Sequence, residues 1–541
     1  MSDPLDSPRP SRARRLAEVL AVSALGGLLL YLGTRSEALG FLVGAAWTVL
    51  MAPAVIDRWR APFLGCFPGM MLSLMAMHLA LQRYAWFVPV LLPLFIMSHF
   101  FVQAYLAYFL HRSTRWPAYI VLPLAAGGGE ALRAVLGIGN FNFYQAGTFL
   151  FHYPVLIQAA DLVGSLGLTV MVTIPWALGI ELVRARLDAP HGSTAWRLRA
   201  GAIASVAVAL FLVGYGSYRL SSGSYAAGPR LALVQPALEH GQGKTQDVVR
   251  GQQTLTMEHV PAGGADMIVW PENAVLGGFR TEPAYKQTIA WITENKKMPL
   301  LFGAGDRDPD GHRPTNSAFM MGTDGEIAGR YDKVVLMPFT ERRALPLLER
   351  VIPPLARFFS RLTRIAWGVA PNGYPGPGAT VMELRAGDRS FSFWTPICYE
   401  SCYPHLAREA RRNGASFFVN LTSEGWLGWS VSNNMMGVNV LRAVENRVGL
   451  ARDGNTGISA FIAPDGRVEE YLRGMTYGRL RMDPGVLIRE VRVGSADLTL
   501  YTRIGDVLDW TWPVLCVGIP LVVTVRRRFF AAAARRAPAG A

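Results

Sequence analysis

Residues 267–272, with the sequence MIVWPE, combine a short apolar run with a proline and a carboxylate at its end. Lys333 and Cys398 likewise stand at the ends of predicted strands further along the chain. Short runs rich in apolar residues and bounded by turn residues predict buried strands at 230–235, 267–269, 299–303, 316–321, 390–397, 416–420 and 449–452. A further strand is predicted at 330–333, separated from 316–321 by the turn residues Asp324-Gly325. Segments typical of helices lie between them, at 284–294, 405–413 and 433–447. Strands that alternate with helices predict an α/β domain.

Glu272, Lys333 and Cys398 supply a carboxylate, an ammonium and a thiol, a complete set for covalent acyl transfer. The thiol attacks only as the thiolate, so it needs a base and a nearby positive charge. Glu272 can accept the proton, and Lys333 can stabilise the oxyanion of a tetrahedral intermediate. The competing interpretation is structural, because a single residue of these types at a strand end usually packs or pairs. The chain has only five lysines against 48 arginines, which favours a specific role for this lysine.

Long apolar runs flank this domain on both sides. Most have the roughly 20 residues that a helix needs to cross a bilayer. The sequence therefore predicts a polytopic α-helical membrane domain of about eight spans in addition to the α/β domain. Within the fifth run, Glu130 and Arg133 are spaced to pair with each other. The eight runs cover residues 16–32, 39–56, 63–81, 86–110, 117–136, 157–183, 200–215 and 510–525.

Arginines are concentrated in alternate loops, which predicts the orientation of the chain in the membrane. Seventeen of them fall on the side of the N-terminus, and this places the α/β domain on the opposite, extracytoplasmic side. The predicted domains are the N-terminal spans at 1–219, the α/β domain at 220–505, and a last span with a basic tail at 506–541. The seventeen are Arg9, Arg12, Arg14, Arg15, Arg58, Arg60, Arg112, Arg115, Arg184, Arg186, Arg197, Arg199, Arg526, Arg527, Arg528, Arg535 and Arg536.

The composition excludes several classes of protein. Hydrophobic residues make up 51% and charged residues 17% of the 541 residues, which excludes intrinsic disorder. The net charge is +14, but residues 228–500 hold 31 Lys+Arg and 28 Asp+Glu, a net of +3. The basic charge is therefore not the footprint of a nucleic-acid-binding face. Four cysteines in this length exclude a disulfide scaffold, and His152 and His405 have no partners at the spacing of metal ligands.

An insert at residues 344–375 mixes apolar residues with four arginines. A basic, apolar segment next to a membrane is typical of an interfacial helix or a lid that contacts anionic headgroups. An amphipathic helix that packs on its own domain is the equally weighted alternative. Pro353-Pro354 would break or restart a helix at this point.

The strings around the three candidate residues resemble the signature blocks of the nitrilase superfamily. They are Trp270-Pro271-Glu272, Tyr331-Asp332-Lys333 and Ile397-Cys398-Tyr399-Glu400, with further similar strings at Asn316-Ser317, Arg442–Glu445 and Asn455–Ser459. The resemblance implies an αββα sandwich for the α/β domain and a Glu-Lys-Cys triad at Glu272, Lys333 and Cys398. The layout of spans, together with the string VLMPFTE at 335–341, is similar to the membrane-bound branch of apolipoprotein N-acyltransferases. By matching position, this branch adds Glu341, Tyr399 and Glu400 as supporting active-site residues.

The branch implies a function and a location. Its members move an acyl chain from a phospholipid to a cysteine, in a ping-pong reaction, and then to the α-amino group of a diacylglyceryl-cysteine on an apolipoprotein. The expected partners are therefore phospholipid and diacylglyceryl-modified apolipoproteins. The expected location is the bacterial inner membrane, with the catalytic domain on the periplasmic side. We expect no cofactor and no metal, and a monomer.

Two alternatives remain at the sequence level, and some positions depart from the branch. A membrane-tethered amidohydrolase could use the same triad on a small amide or nitrile. A transporter or lipid-binding protein with an inactive appended domain is disfavoured, because all three triad residues are present. Ser423-Glu424 stand where an Asn-Asp pair is usual, Asn273 follows the Trp-Pro-Glu block, and Ala126 replaces an expected tryptophan. These departures bear on acceptor choice and acyl-chain preference.

Overall fold

The computed structural model describes most of the chain, in ten segments. Two parts of the predicted insert, 344–351 and 368–371, lie outside the described residues, as do residues 425–427 after Glu424. The described segments are 11–83, 85–136, 144–188, 194–238, 245–338, 340–342, 352–367, 372–424, 428–472 and 483–536.

The N-terminal part is helical, and its helices coincide with the first seven predicted apolar runs. Helix α7 bends near its start, where Gly164 has a φ of 67°. Its helices are α1 (Arg12–Arg35), α2 (Leu42–Val55), α3 (Pro62–His78), α4 (Val88–Thr114), α5 (Ala118–Leu136), the short α6 (Pro154–Ile157), α7 (Ala160–Leu187) and α8 (Thr194–Ser222).

The α/β domain follows. Its helices are α9 (Thr245–His259), α10 (Pro283–Lys296), α11 (Pro353–Trp367), α12 (Pro404–Arg412) and α13 (Trp429–Asn446). Its strands are β1 (Ala226–Gln235), β2 (Met267–Val269), β3 (Val275–Gly278), β4 (Leu300–Arg307), β5 (Pro314–Met321), β6 (Ile327–Asp332), β7 (Met382–Ala386), β8 (Arg389–Trp394), β9 (Phe417–Thr422), β10 (Gly449–Gly454), β11 (Ala460–Ile462), β12 (Val468–Tyr471) and β13 (Gly485–Val493).

The strands form two sheets. One has the order β13-β1-β2-β4-β5-β6, with β3 paired to β4, and the other has the order β12-β11-β10-β9-β8-β7. In β1, Leu231 and Leu233 belong to the core between the sheets, whereas Ala232 and Val234 pack toward α9 and α10. Helices α12 and α13 cover the second sheet. This is the expected αββα sandwich, and the predicted fold class is confirmed.

A last helix, α14 (Leu500–Arg536), begins before the predicted boundary at residue 506 and carries the eighth apolar run. Among the described residues, five helices are long and apolar enough to cross a membrane: α1, α4, α7, α8 and α14. Helices α2 and α3 are apolar but shorter. In α5, Glu130 and Arg133 form a buried ion pair, and Gln103 of α4 donates to Glu130 at 3.1 Å. The two charges that the sequence placed in this run therefore neutralise each other within α5, as their spacing predicted.

Buried polar contacts attach the α/β domain to the helical part. Arg447, directly after α13, forms an ion pair with Asp161 of α7 at 2.7 Å. Glu445 accepts a hydrogen bond from the backbone N–H of Ser165 at 2.8 Å. On the other side of α13, Arg408 of α12 forms an ion pair with Asp509 of α14 at 3.0 Å. These contacts hold the second sheet and its helices directly against the membrane helices.

The strands absent from the sequence prediction are β3, β7, β11, β12 and β13, together with helix α9. Strand β7 shows why an edge strand escapes prediction from the sequence. Its buried residues Met382, Leu384 and Ala386 alternate with exposed Glu383 and Arg385. A strand at the edge of a sheet needs only one apolar face, so it lacks the continuous apolar run that identifies a central strand.

Candidate active site

The ends of three strands meet at one edge of the sandwich. Glu272 follows β2, and Lys333 follows β6. Strands β2 and β4 are parallel, and two successive antiparallel pairings give β6 the direction of β4. In the second sheet, β8 and β9 are parallel neighbours, and Cys398 lies beyond the end of β8. The strand directions bring Glu272 and Lys333 to one edge of the first sheet, and the charges of both residues act on the Cys398 thiol of the second sheet.

Lys333 lies between two carboxylates. Its Nζ is 2.9 Å from Glu341 Oε1 and 3.3 Å from Glu272 Oε1, and only 1% of its side chain is exposed. Asn316 donates from Nδ2 to the same two oxygens, at 2.8 Å to Glu272 and 2.6 Å to Glu341. The second oxygen of Glu341 accepts from the backbone N–H of Met337 at 2.7 Å. Both carboxylates and the ammonium are thus fixed in one network.

The backbone around the site is tightly packed. A Cβ on Gly303 of β4 would lie 2.7 Å from Glu272 Cα, so only glycine permits Glu272 to approach this strand. Cys398 has a φ of 53° and begins a short 3-10 helix, Cys398–Cys402. A positive φ is uncommon for a residue with a side chain and is frequent at functional sites. The turn directs the chain away from the sheet immediately at the thiol.

The charges around Cys398 favour the neutral thiol in the resting site. Burial and the Glu272 carboxylate raise the pKa of Cys398 above its ordinary value, and Lys333 only partly offsets them. Burial opposes the charged form of Lys333, but Glu341 and Glu272 raise its pKa, so it is an ammonium. The nucleophile therefore needs a base at the moment of attack, and the carboxylate that raises its pKa can serve as that base.

Glu400 and Tyr399 directly follow Cys398 and form hydrogen bonds next to the site. Glu400 Oε1 accepts from the backbone N–H groups of Val334 and Val335, at 2.6 and 3.2 Å, and its Oε2 accepts from Ile397 at 3.0 Å. Glu400 thereby ties the segment after Lys333 to the segment before Cys398. Burial raises the pKa of Glu400 to about 7. The Tyr399 hydroxyl lies 3.0 Å from that of Tyr403.

Three further residues were missed as site residues from the sequence. Thr422, at the end of β9, hydrogen-bonds to Cys398 and lowers the pKa of the thiol, against the larger effect of burial. The Thr422 hydroxyl also donates to Glu424, and Glu424 forms a buried ion pair with Arg452 of β10. Arg452 in turn donates to Asn420 at 2.7 Å. The only sequence signal was the unusual Ser423-Glu424 pair.

Glu424 fills a space that a neighbouring glycine leaves open. A Cβ on Gly457 would lie 2.4 Å from Glu424 Oε1. Because Arg452 neutralises it, the carboxylate can be buried close to the nucleophile without an isolated charge. The departure from the usual Asn-Asp pair is therefore accommodated by a local ion pair beneath the thiol.

Helix α11, in the insert, contacts the membrane helices. The rings of Phe359 in α11 and Phe95 in α4 are 5.3 Å apart and perpendicular. Phe358 and Ile365 expose 52% and 67% of their surface, and three arginines of the helix are also exposed. Of the two interpretations, this contact favours a helix that lies at the membrane interface.

Comparisons with known proteins agree with these observations. Residues 230–473 match the family model described as Carbon-nitrogen hydrolase. A solved amidase from Nesterenkonia sp. is 19% identical, with a TM-score of 0.36, over 53% of this chain and 99% of that chain. That likeness is too low to bear on activity.

Relatives extend the similarity to the membrane helices. The chain is 28% identical to the apolipoprotein N-acyltransferase of Geobacter metallireducens over 93% of this chain and 94% of that protein. It is 26% identical to the apolipoprotein N-acyltransferase of Chlorobaculum tepidum over 96% of this chain and 99% of that protein. Residues 230–473 therefore match the carbon-nitrogen hydrolase family, and the resemblance of the whole chain to the apolipoprotein N-acyltransferases is confirmed.

Proposed function

We propose that this protein transfers an acyl chain from a membrane phospholipid, through a thioester on Cys398, to the α-amino group of a diacylglyceryl-cysteine at an apolipoprotein N-terminus. The observation that carries the proposal is the buried network of Glu272, Lys333 and Glu341 around a thiol, on a domain held against membrane helices. The names of the full-length relatives supply the acceptor.

In the first half-reaction, Glu272 accepts the proton of the Cys398 thiol as the sulfur attacks the ester carbonyl of the phospholipid. Lys333 stabilises the oxyanion that forms. The carbon–oxygen bond to the glycerol then breaks, and Glu272 returns the proton to the leaving alkoxide. The products are a lysophospholipid and an acyl thioester on Cys398. Glu341 and Asn316 position Lys333 and Glu272 throughout.

In the second half-reaction, the amine of the acceptor attacks the thioester carbonyl and Glu272 takes a proton from the nitrogen. The carbon–sulfur bond breaks, and the proton passes to the departing thiolate. The acceptor leaves with an amide bond, and the enzyme returns to its resting state. Water must be excluded between the two steps, because it would hydrolyse the thioester. Cys398 is 7% exposed, which is consistent with such protection.

The arrangement of domains suits a lipid substrate. We propose that residues 1–219 and 506–541 hold the enzyme in the bacterial inner membrane, with the catalytic domain at 220–505 on the periplasmic side and the protein acting as a monomer. Helix α11 would then lie at the interface, where its exposed arginines can contact phospholipid headgroups. A donor could reach Cys398 from the bilayer without crossing water.

The test is intact-mass analysis of the purified protein after incubation with phospholipid, beside a Cys398→Ala control. We expect a hydroxylamine-labile adduct with the mass of one acyl chain, absent from the control. Addition of a diacylglyceryl-cysteine peptide should then remove the adduct and yield an N-acylated peptide. Turnover by Cys398→Ala would contradict the mechanism. A folded protein that forms no adduct but hydrolyses a small amide would instead be the membrane-tethered amidohydrolase.

A further inference from the structure

An open cavity of about 470 Å³ lies on the surface between α4 and α14. It has aromatic walls from α4, three hydroxyl groups and three guanidinium groups. Its lining residues are Tyr108, Phe109, Arg112, Ser113, Thr524, Arg527 and Arg528.

The position of the cavity along α14 places it at the other face of the membrane. The start of α14 is tied to the α/β domain, where Thr502 donates to Asn446 at 3.0 Å. Thr524 follows Leu500 by 24 residues, roughly 36 Å along a helix at 1.5 Å per residue. The hydrocarbon core of a bilayer is about 30 Å thick. The cavity therefore lies at the headgroup level of the leaflet opposite the α/β domain.

Helix α4 gives the same depth independently. Phe95 contacts α11 of the α/β domain, and Arg112 follows it by 17 residues, roughly 26 Å further along α4. The two helices thus reach the opposite leaflet together. At this distance the cavity is separate from any donor phospholipid that reaches Cys398.

No carboxylate in the described part of the chain pairs with the three guanidinium groups. Arg112, Arg527 and Arg528 are exposed, and none of them takes part in an ion pair with the described residues. The Arg112 guanidinium lies 5.9 Å from the ring centre of Tyr108. Three like charges around one cavity repel each other, and a phosphate that accepts hydrogen bonds from them would relieve the repulsion. The rings of Tyr108 and Phe109 offer an apolar surface for the start of an acyl chain.

We propose that this cavity binds the headgroup of an anionic phospholipid from the leaflet opposite the catalytic domain. Basic pockets between membrane helices are suited to such headgroups. An alternative role for these arginines is only to fix the orientation of the chain, and that role requires no cavity and no preference among lipids. The two roles make different predictions for lipid binding.

The test is native mass spectrometry of the full-length protein in detergent with added phosphatidylglycerol or phosphatidylcholine. We expect the wild type to retain phosphatidylglycerol in preference to phosphatidylcholine. Replacement of all three arginines, as Arg112→Gln, Arg527→Gln and Arg528→Gln, should weaken phosphatidylglycerol binding by roughly fivefold per arginine, on the order of a hundredfold together. Formation of the Cys398 thioester should remain unchanged.

The matched control removes three arginines from the same membrane face at other helices, as Arg186→Gln, Arg197→Gln and Arg199→Gln. It should bind phosphatidylglycerol like the wild type. Equal binding by the two triple variants, or equal retention of the two lipids by the wild type, would overturn the proposal. If the first triple variant fails to fold, each single replacement should still weaken binding by roughly fivefold, and single variants that bind normally would also overturn it.

Discussion

At the scale of single residues, the candidate active site combines one buried ammonium with two carboxylates and a thiol. Lys333 contacts both Glu272 and Glu341, so the cluster carries an excess of negative charge when both carboxylates are ionised. A further negative charge on Cys398 is therefore unfavourable until Glu272 has taken a proton. In the proposed mechanism, this coupling keeps the resting thiol inert and makes proton transfer part of the attack.

Replacement of Glu272 with Gln should separate thiol reactivity from catalysis. Burial is the largest cause of the raised pKa of Cys398, and the nearby Glu272 carboxylate is the second largest. Its removal should lower the pKa and speed alkylation by iodoacetamide at pH 8, about tenfold for each pKa unit. Acyl transfer should be lost because the base is gone. Parallel labelling of Cys398→Ala corrects for the other cysteines, and slower labelling of Glu272→Gln would contradict the charge argument.

Glu400 should make the stability of the fold depend on pH. Burial raises its pKa to about 7 from an ordinary value of 4.5, so the folded state binds the proton more tightly than the unfolded state. Its stabilising contribution is therefore fully present below pH 4.5 and is lost as the pH rises through about 7. The Tm of the wild type minus that of Glu400→Gln should fall across this range.

The control for this pH dependence is Glu326→Gln, because 73% of the Glu326 side chain is exposed. The Tm difference between the wild type and this variant should not change with pH over the same range. A Tm difference for Glu400→Gln that rises with pH would show that the carboxylate is stabilised as the anion.

At the scale of elements, the membrane helices approach closely where they carry glycine. A Cβ on Gly69 of α3 would lie 1.7 Å from the backbone oxygen of Ser23 in α1. The Gly69 backbone N–H also donates to Ser23 Oγ at 2.9 Å. Small residues of this kind allow helices to pack against each other inside a membrane.

Gly69→Ala should therefore force α1 and α3 apart. Overpacking costs typically about 1–3 kcal/mol, and the neighbouring atoms here belong to backbone that cannot rotate away. We expect a lower Tm in detergent. Gly179→Ala in α7 is the matched control, since a Cβ there meets no atom within 4 Å and alanine favours helix. Equal losses of Tm in the two variants would contradict the role of the α1–α3 contact.

At the scale of the whole molecule, the interface between the α/β domain and the membrane helices, here called the seam, determines where the candidate active site faces. Arg447 pairs with Asp161 and donates to Gln158 Oε1 at 2.7 Å. Glu445 and Arg408 add further buried contacts to α7 and α14. The seam is polar and buried, so its partners depend on one another.

Arg447→Met should destabilise the whole enzyme, because among the described residues it leaves Asp161 with one cationic partner, Arg219 at 3.0 Å. Loss of one member of a buried pair costs about 3–5 kcal/mol, and we expect the lower part of that range because Arg219 remains. The readouts are the Tm in detergent and the rate of trypsin cleavage. Arg467→Gln removes a pair whose arginine is 56% exposed, so it should change both readouts little. Equal effects of Arg447→Met and Arg467→Gln would contradict the stabilising role of the Arg447–Asp161 ion pair.

The sequence by itself predicted the two-part architecture, the central strands and the triad. Each of these features is local: a strand end such as residues 267–272 needs only a short apolar run followed by a polar residue. The apolar runs of the membrane helices are local in the same sense. The signature strings around Glu272, Lys333 and Cys398 are also short, so a single sequence was enough to find them.

Only the tertiary structure decided which distant residues complete the site and how the two parts are joined. Asn316 bridges Glu272 and Glu341, Arg452 neutralises Glu424 beneath the thiol, and Arg447 reaches Asp161, 286 positions earlier in the chain. Edge strands such as β7 escaped prediction because one apolar face suffices for them. The physical reason is that such pairings arise from packing between segments far apart in sequence, and no local pattern of hydrophobicity or charge specifies the partner.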